Sequence, residues 1–300
     1  MERERILVTG ASGFLGTAVQ RRLVAAGHDV VGLDVLPAAE PGAIEHIVDD
    51  LSDAGRLAGL VAQCRPTRIV HAGGVSGPMV LADDPLATLQ INVGGTLNLL
   101  AAALAAKTGT FIHCSSISAI GNYFEPEPIG SEQPMRPDSP YGCSKAASEF
   151  LFQALYGRAS LDVAVLRFST IYGPGRRTEI LIHDIVEAGL AGRTARIAPT
   201  TAWPYIFIDD AADATIAALF ATGRRQLTYY VTHPEMVSAD DIAQAAGAAL
   251  GRGPVALEVA GAPMARGPAD VQAPTRDFGF RAKIDHREGL RRLVAARRGG

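Results

Sequence analysis

Tyr141 and Lys145 stand four residues apart in Tyr141-Gly-Cys-Ser-Lys145, directly after Pro137-Asp138-Ser139-Pro140. On a helix such positions share one face, so a phenol and an ammonium reach into the same space. A free tyrosine, with a pKa of about 10, is a poor base at neutral pH. A neighbouring cation favours the phenolate and brings it toward the range where it can trade a proton with a substrate hydroxyl, an exchange worth about 10²–10⁴ in rate. Ser116 closes a strand-like apolar run and is placed to hydrogen-bond the same oxygen and steady its charge. The chain has only three lysines, Lys107, Lys145 and Lys283, against 25 arginines. Composition alone leaves a chance Tyr–Lys pair on a solvated surface open; the glycine-rich loop at 10–16 makes it the weaker reading.

A second constellation lies at the start of the chain. Ile6-Leu7-Val8-Thr9 is followed by Gly10-Ala-Ser-Gly13-Phe-Leu-Gly16 and a helix-like stretch. Gly10 allows the tight turn off the strand, Gly13 lets the backbone approach a pyrophosphate, and Gly16 lets helix and sheet pack closely. The phosphates would rest on the free N–H groups at the helix start. Strand, loop and helix stand in the required order, so Gly10, Ser12, Gly13, Phe14, Leu15 and Gly16 are read as a dinucleotide cradle. Asp34, closing the second strand, would accept from the adenosine ribose. A carboxylate there suits NAD and repels the extra phosphate of NADP, and Val35-Leu36-Pro37 offers no arginine to hold it. With NAD bound, the positive nicotinamide adds to the lysine's effect on Tyr141. Asp50-Leu51 follows the third strand; Asp50 either reaches the adenine or caps the next helix.

The elements needed to hold these groups are legible. Strand-like runs at 6–9, 29–33, 44–48, 68–72, 110–115 and 163–168 alternate with helical stretches at 14–26, 53–63, 85–106 and 141–157. That alternation predicts a doubly wound α/β Rossmann sheet. Beyond Arg167 the pattern loosens into helices near 178–191, 209–221, 238–250 and 285–297 with short strands. The expected division is a dinucleotide-binding domain over 1–167 and 206–224, with a smaller α/β substrate lobe over 168–205 and 225–300.

Composition narrows the class. Of the 300 residues 48% are apolar, enough for a sizeable core, and the net charge of −3 with scattered basic residues argues against nucleic acid as a partner. No apolar run reaches the ~20 residues of a membrane span, the nearest being interrupted at Asn98. Cys64, Cys114 and Cys143 have neither disulfide parity nor metal-ligand spacing, so no metal is expected, and a cytoplasmic location is. Helices near 85–106 and 141–157 are apolar beyond one stripe (Leu97, Leu99, Leu100, Ala103; Ala147, Phe150, Leu151, Ala154, Leu155), which predicts a homodimer.

These pieces together resemble the extended short-chain dehydrogenase/reductases of the NAD-dependent epimerase/dehydratase family. The matching motifs are the glycine loop, Asp34, Asp50-Leu51, His71-Ala72-Gly73, Asn92-Val-Gly-Gly-Thr96, Cys114-Ser115-Ser116, Tyr141…Lys145, Leu166-Arg167, Tyr172-Gly173-Pro174-Gly175 and Asp209-Asp210-Ala211-Ala212, with a weaker tail at Phe278-Gly279-Phe280. The resemblance implies a catalytic Ser116, Tyr141 and Lys145, with Lys145 also on the nicotinamide ribose. It further implies that Ala72, Gly73, Asn92 and Ser115 belong to the cofactor site. The expected reaction is hydride transfer at a secondary alcohol of a carbohydrate-like substrate.

Departures from the family pattern bear on the substrate. Ile117 and Ser118 stand where dehydratases carry an Asp-Glu pair, which counts against elimination of water. Thr170 replaces the asparagine usual in sugar-nucleotide epimerases, and Trp203-Pro204 replaces an Arg-Asp whose arginine grips a diphosphate; Arg176 or Arg177 would have to substitute. Gly73-Gly74-Val75-Ser76 resembles the uronate dehydrogenases of the same family. Ser76, Ser116, Ser118, Thr170 and Arg177 are the expected substrate contacts. A free sugar or sugar acid is favoured, a UDP-sugar 4-epimerase holding its NAD is the alternative, and a dinucleotide-sensing protein without turnover is the rival from another class.

Overall fold

Strands covered on both faces read as apolar runs, and such strands form the middle of one seven-stranded parallel sheet whose edge strand at Glu45–Val48 is more exposed. The computed structural model describes residues 3–38, 44–123, 127–158, 160–199, 202–261 and 267–299. The strands are β1 (Arg5–Thr9), β2 (Asp29–Asp34), β3 (Glu45–Val48), β4 (Arg68–His71), β5 (Thr110–Ser116) and β6 (Asp162–Phe168). Shorter ones follow: β7 (Thr170–Tyr172), β8 (Ala195–Ile197), β9 (Trp203–Phe207), β10 (Thr228–Val231), β11 (Met236–Val237) and β12 (Leu257–Val259). The large sheet has the order β10-β6-β5-β4-β1-β2-β3, with every pairing parallel. It is a Rossmann sheet, whose order reverses between β1 and β4, where ligands bind at the carboxyl ends of the strands.

Helices α1 (Phe14–Ala25), α2 (Ala54–Cys64), α3 (Pro85–Leu89), α4 (Gly95–Ala105) and α5 (Pro140–Leu155) belong to the first half of the chain; α6 (Leu181–Ala191), α7 (Ile208–Phe220), α8 (Ala239–Leu250), α9 (Gln272–Phe278) and α10 (His286–Gly299) complete it. Side chains alternate across each strand, so Ile6 and Val8 join one core with Val19, Leu166 and Ala211. Leu7 joins the opposite one with Leu57, Leu99, Phe111 and Phe152.

Three features differ from the sequence reading. The helix expected over 85–106 is present, but a π turn at Gln90–Gly94 joins α3 to α4 within it, and Pro85–Ala105, 21 residues, is long and apolar enough to cross a membrane by length and composition. A polar Asn98 does not end this apolar helix, and Leu99, Leu100, Ala102 and Ala103 are buried in the protein's own core. Leu99, Leu100 and Ala103 are thereby removed from the proposed dimer face. Strand β10, inside the 225–300 stretch given to the substrate lobe, pairs with β6 in the large sheet. The smaller sheets are β11-β9-β7 and β12-β8. Buried Asp210 at the start of α7 accepts from the backbone N–H groups of Lys283 and Ile284 at 2.9 and 2.8 Å, tying the last segment to α7.

Candidate active site

The carboxyl ends of β1, β2, β4, β5 and β6 open into one cleft of about 1280 Å³. Its floor begins at the glycine loop. Gly10 has φ +68°, and a Cβ there would fall 2.5 Å from the Ala72 carbonyl oxygen. A Cβ on Gly16 would overlap the Gly10 carbonyl oxygen. Gly13 is the N-cap of α1 and no side chain caps the helix, leaving its first N–H groups toward the cleft. Asp34 accepts from the N–H groups of Ser12 at 2.9 Å and Leu36 at 3.0 Å, so its carboxylate is braced beside the loop. Asp50 accepts from Ser52 N and Oγ at 2.7 and 2.5 Å. The cap of α2 is Asp53, which receives Arg56 N–H, so the capping alternative for Asp50 falls away.

The catalytic candidates meet on the opposite wall. Ser139 caps α5 by accepting from Gly142 N–H at 3.1 Å, with Pro140 in the first turn. Gly142 has a packing reason: a Cβ there would overlap the Ser118 carbonyl oxygen. This close approach brings Tyr141 against the end of β5, with its phenol near enough to Ser116 for the serine hydroxyl to favour the phenolate. Ser116 Oγ also accepts from Ser118 N–H at 3.1 Å. Lys145 is buried and donates from Nζ to the Cys114 carbonyl at 3.0 Å, with Nζ 5.8 Å from the Tyr141 ring centre. Burial pushes the Tyr141 phenol up, opposed by the Ser116 hydroxyl and by the charge of Arg176. Arg176 is thus a second cation acting on the phenol, beside the expected Lys145. Burial draws the Lys145 ammonium down, and Cys114 and Glu149 oppose it.

Gly10, Ser12, Gly13, Phe14, Leu15, Gly16, Asp34, Asp50, Leu51, Ala72, Gly73, Ser115, Ser116, Tyr141 and Lys145 all border this cleft, as do Ser76, Ser118, Thr170 and Arg177. Asn92 does not. Its buried amide accepts from Val75 N–H at 2.7 Å and donates to Val75 O at 3.3 Å and Ser144 Oγ at 2.8 Å. It pins the loop after β4 to α5, and its place on the π turn is what aims it there.

Arg177 sits exposed at the cleft rim, whereas Arg176, passed over as the substrate contact, turns inward. Its Nη1 donates to Ile171 O at 2.8 Å, and its buried Nε has no hydrogen-bond partner among the described residues. The positive φ of Gly173 (+144°) and Gly175 (+89°) folds the turn that separates the two arginines. The sequence holds no signal for which of two adjacent arginines faces inward. Ser115 directs its hydroxyl away from the cleft, to Glu149 Oε1 at 2.5 Å.

The profile of the NAD dependent epimerase/dehydratase family matches residues 6–230. The chain belongs to that family. Among curated members, the UDP-glucose 4-epimerase of Mycolicibacterium smegmatis is 34% identical over 230 residues, covering 71% of this chain and 72% of its own. A dTDP-glucose 4,6-dehydratase of Xanthomonas campestris is 30% identical over 246 residues, covering 75% and 70%. Among solved members, the Thermus thermophilus UDP-glucose 4-epimerase in complex with NAD superposes with a TM-score of 0.86 at 27% identity, over 99% of both chains. MoeE5, in complex with UDP-glucose and NAD, gives 0.86 at 28% identity over 98% of both. The cofactor of this epimerase/dehydratase member is NAD, and the chain's own cradle fits it: a glycine loop no side chain could occupy, an open helix start and a braced ribose carboxylate.

Proposed function

We propose that this protein catalyses NAD-dependent hydride transfer at a secondary alcohol of a sugar or sugar acid, with Tyr141 exchanging the hydroxyl proton. The observation that carries the reading is the convergence of Ser116, Tyr141 and Lys145 beside the dinucleotide cradle. When bound, NAD supplies the hydride acceptor. Ser116 and Tyr141 together bind the reacting oxygen; Ser116 steadies it while the phenol takes or returns the proton. Lys145, anchored on Cys114 O, holds positive charge beneath the phenol.

A free sugar acid is the favoured substrate. Trp203 occupies the place of the diphosphate-gripping arginine and is bonded to Thr170. Arg176, with its unpartnered Nε on the cleft wall, offers a cation for one compact anionic group. The second reading, a nucleotide-sugar 4-epimerase, is favoured by the names of the relatives, which act on UDP- and dTDP-glucose. The two differ in cofactor turnover, since a dehydrogenase releases NADH and an epimerase returns the hydride to the other face. The protein and NAD⁺ are to be incubated with aldonic and uronic acids and, separately, with UDP-, GDP- and dTDP-sugars. NADH absorbance and epimer formation by NMR are then followed. Stoichiometric NADH from a free acid is expected; NADH-silent interconversion of a sugar nucleotide would establish the epimerase instead.

The assembly that fits best is a homodimer. Leu86, Ile91 and Leu97 on one long helix and Phe150 on α5 are exposed, and helices carrying an outer apolar stripe call for a partner.

A further inference from the structure

Behind the catalytic wall lies a buried charged network that the reaction does not touch. Glu149 stands on α5 one turn beyond Lys145, and its side chain is 3% exposed. Arg167 from β6 grips it, with Nη2 2.7 Å and Nε 2.9 Å from Oε2. Ser115, the neighbour of Ser116 on β5, donates to Oε1 at 2.5 Å. Arg167 is held in turn by Ser131 O at 3.2 Å and by the Tyr230 hydroxyl on β10 at 3.1 Å. One carboxylate therefore joins α5, β5 and β6, and through Arg167 also β10.

A buried ion pair is a weak source of net stability, because desolvation consumes most of the attraction. Its retention here has a local explanation. Resting on the function proposed above, we propose that Glu149 is a positioning residue for Ser116, Tyr141 and Lys145. Through Ser115 it locks the end of β5 to α5, and from one helical turn away it holds the Lys145 ammonium charged. The other groups facing Lys145 cannot do this. Tyr141 on the same helix and Cys114 on β5 are neutral, with the Cys114 thiol pushed up to about 12 by burial. His71 on β4 and His113 on β5 are also neutral, burial holding His71 down to about 3 and His113 well below its ordinary range. Burial drives that ammonium toward its neutral form; Cys114 and Glu149 oppose this, and Glu149 is the carboxylate among them.

The test needs no substrate, so it stands apart from the failure of the proposed reaction. With three lysines in the chain, ¹³Cε-lysine NMR resolves Lys145 from Lys107 and Lys283 across a pH titration of the whole protein. In Glu149→Gln, Lys145 should lose its proton about one to two pH units lower than in the wild type, with Lys107 and Lys283 unmoved. A merely structural role predicts the opposite sign, since a loosened core would admit water and raise Lys145 toward its ordinary value. If Glu149→Gln does not fold, the double variant Glu149→Gln/Arg167→Met, which removes the buried guanidinium together with its partner, should shift Lys145 in the same direction by a smaller amount, since a cation is lost with the anion. An unchanged or raised Lys145 titration in either folded variant overturns the proposal.

Discussion

Trp203 donates its indole N–H to the Thr170 hydroxyl at 2.9 Å, joining the first residues of β9 and β7 across the substrate side of the cleft. These are the two positions where the chain departs from the sugar-nucleotide epimerases, and they depart as a bonded pair. The asparagine and arginine of the family pattern are polar groups free to grip a ligand. Here the hydroxyl and the indole N–H satisfy each other and leave a fixed aromatic surface.

Trp203→Ala should raise KM for the true substrate about tenfold, the scale of one lost packing and hydrogen-bonding anchor. The expected kcat stays within a few-fold, and NADH affinity is unchanged. Steady-state kinetics with a fluorescence titration of NADH measures all three, and a large fall in kcat at constant KM would assign Trp203 to the chemical step.

Tyr141→Phe removes the proton-exchanging oxygen and little else. Turnover should drop by about 10²–10⁴, while NADH binding stays within a few-fold of the wild type. Unchanged turnover would refute Tyr141 as the acid/base.

Asp34 is the residue proposed to select NAD. Its carboxylate, already braced by Ser12 and Leu36, meets a 2′-phosphate with like charge. NADPH should therefore bind much more weakly than NADH, and Asp34→Ser should narrow the gap. Equal affinities for the two in the wild type would show Asp34 misread.

Acid stability follows from histidines kept neutral by burial, with His71 held to about 3, His183 to about 4 and His113 well below its ordinary range. Each binds a proton more readily in the unfolded chain, where its pKa is about 6.5. Stability is therefore complete above about pH 6.5 and falls below it, by about 1.4 kcal/mol per pH unit for each such group, until the folded value is reached. Thermal midpoints should be level between pH 8 and 7 and decline steeply from 6 to 5. His113, whose ring nitrogens have no hydrogen-bond partner among the described residues, is the site to change. His113→Phe should flatten the decline, and an identical pH slope in that variant would count against this origin.

Phe150 is 56% exposed on α5, and a charge there should split a dimer. Light scattering at micromolar concentration is expected to give twice the chain mass for the wild type and the single mass for Phe150→Glu. A monomeric wild type would sink the assembly.

Much of this molecule was readable from its residues, for reasons that differ from place to place. Most of the strands up to Phe168 are short, largely apolar runs between turn signals, β3 with Glu45 and His46 being the exception, and the glycine loop's spacing reflects backbone contacts that leave no room for a Cβ. The π turn at Gln90–Gly94 was not readable, since a widened hydrogen-bond ring carries no residue signature, and with it went the true task of Asn92. Arg176 and Arg177 are chemically identical neighbours, and only the fold of the Gly173–Gly175 turn decides between them. β10 is four residues long, and its pairing with β6 depends on a neighbour some sixty positions away.

That return of the chain bears on how such a protein acquires new specificities. Residues bordering the substrate come from β7 and β9 and the segments around them, yet the chain then re-enters the large sheet at β10 and is tied again at Asp210 to its final segment. A single crossover between two homologous genes therefore cannot transplant the substrate-facing wall as a cassette. Any junction after β6 would also exchange the edge strand of the parent sheet and the clamp on its last helices. New selectivity on this scaffold is accessible through scattered point changes, of which the coupled pair at 170 and 203 is one, and directed evolution by block shuffling is the wrong instrument for it.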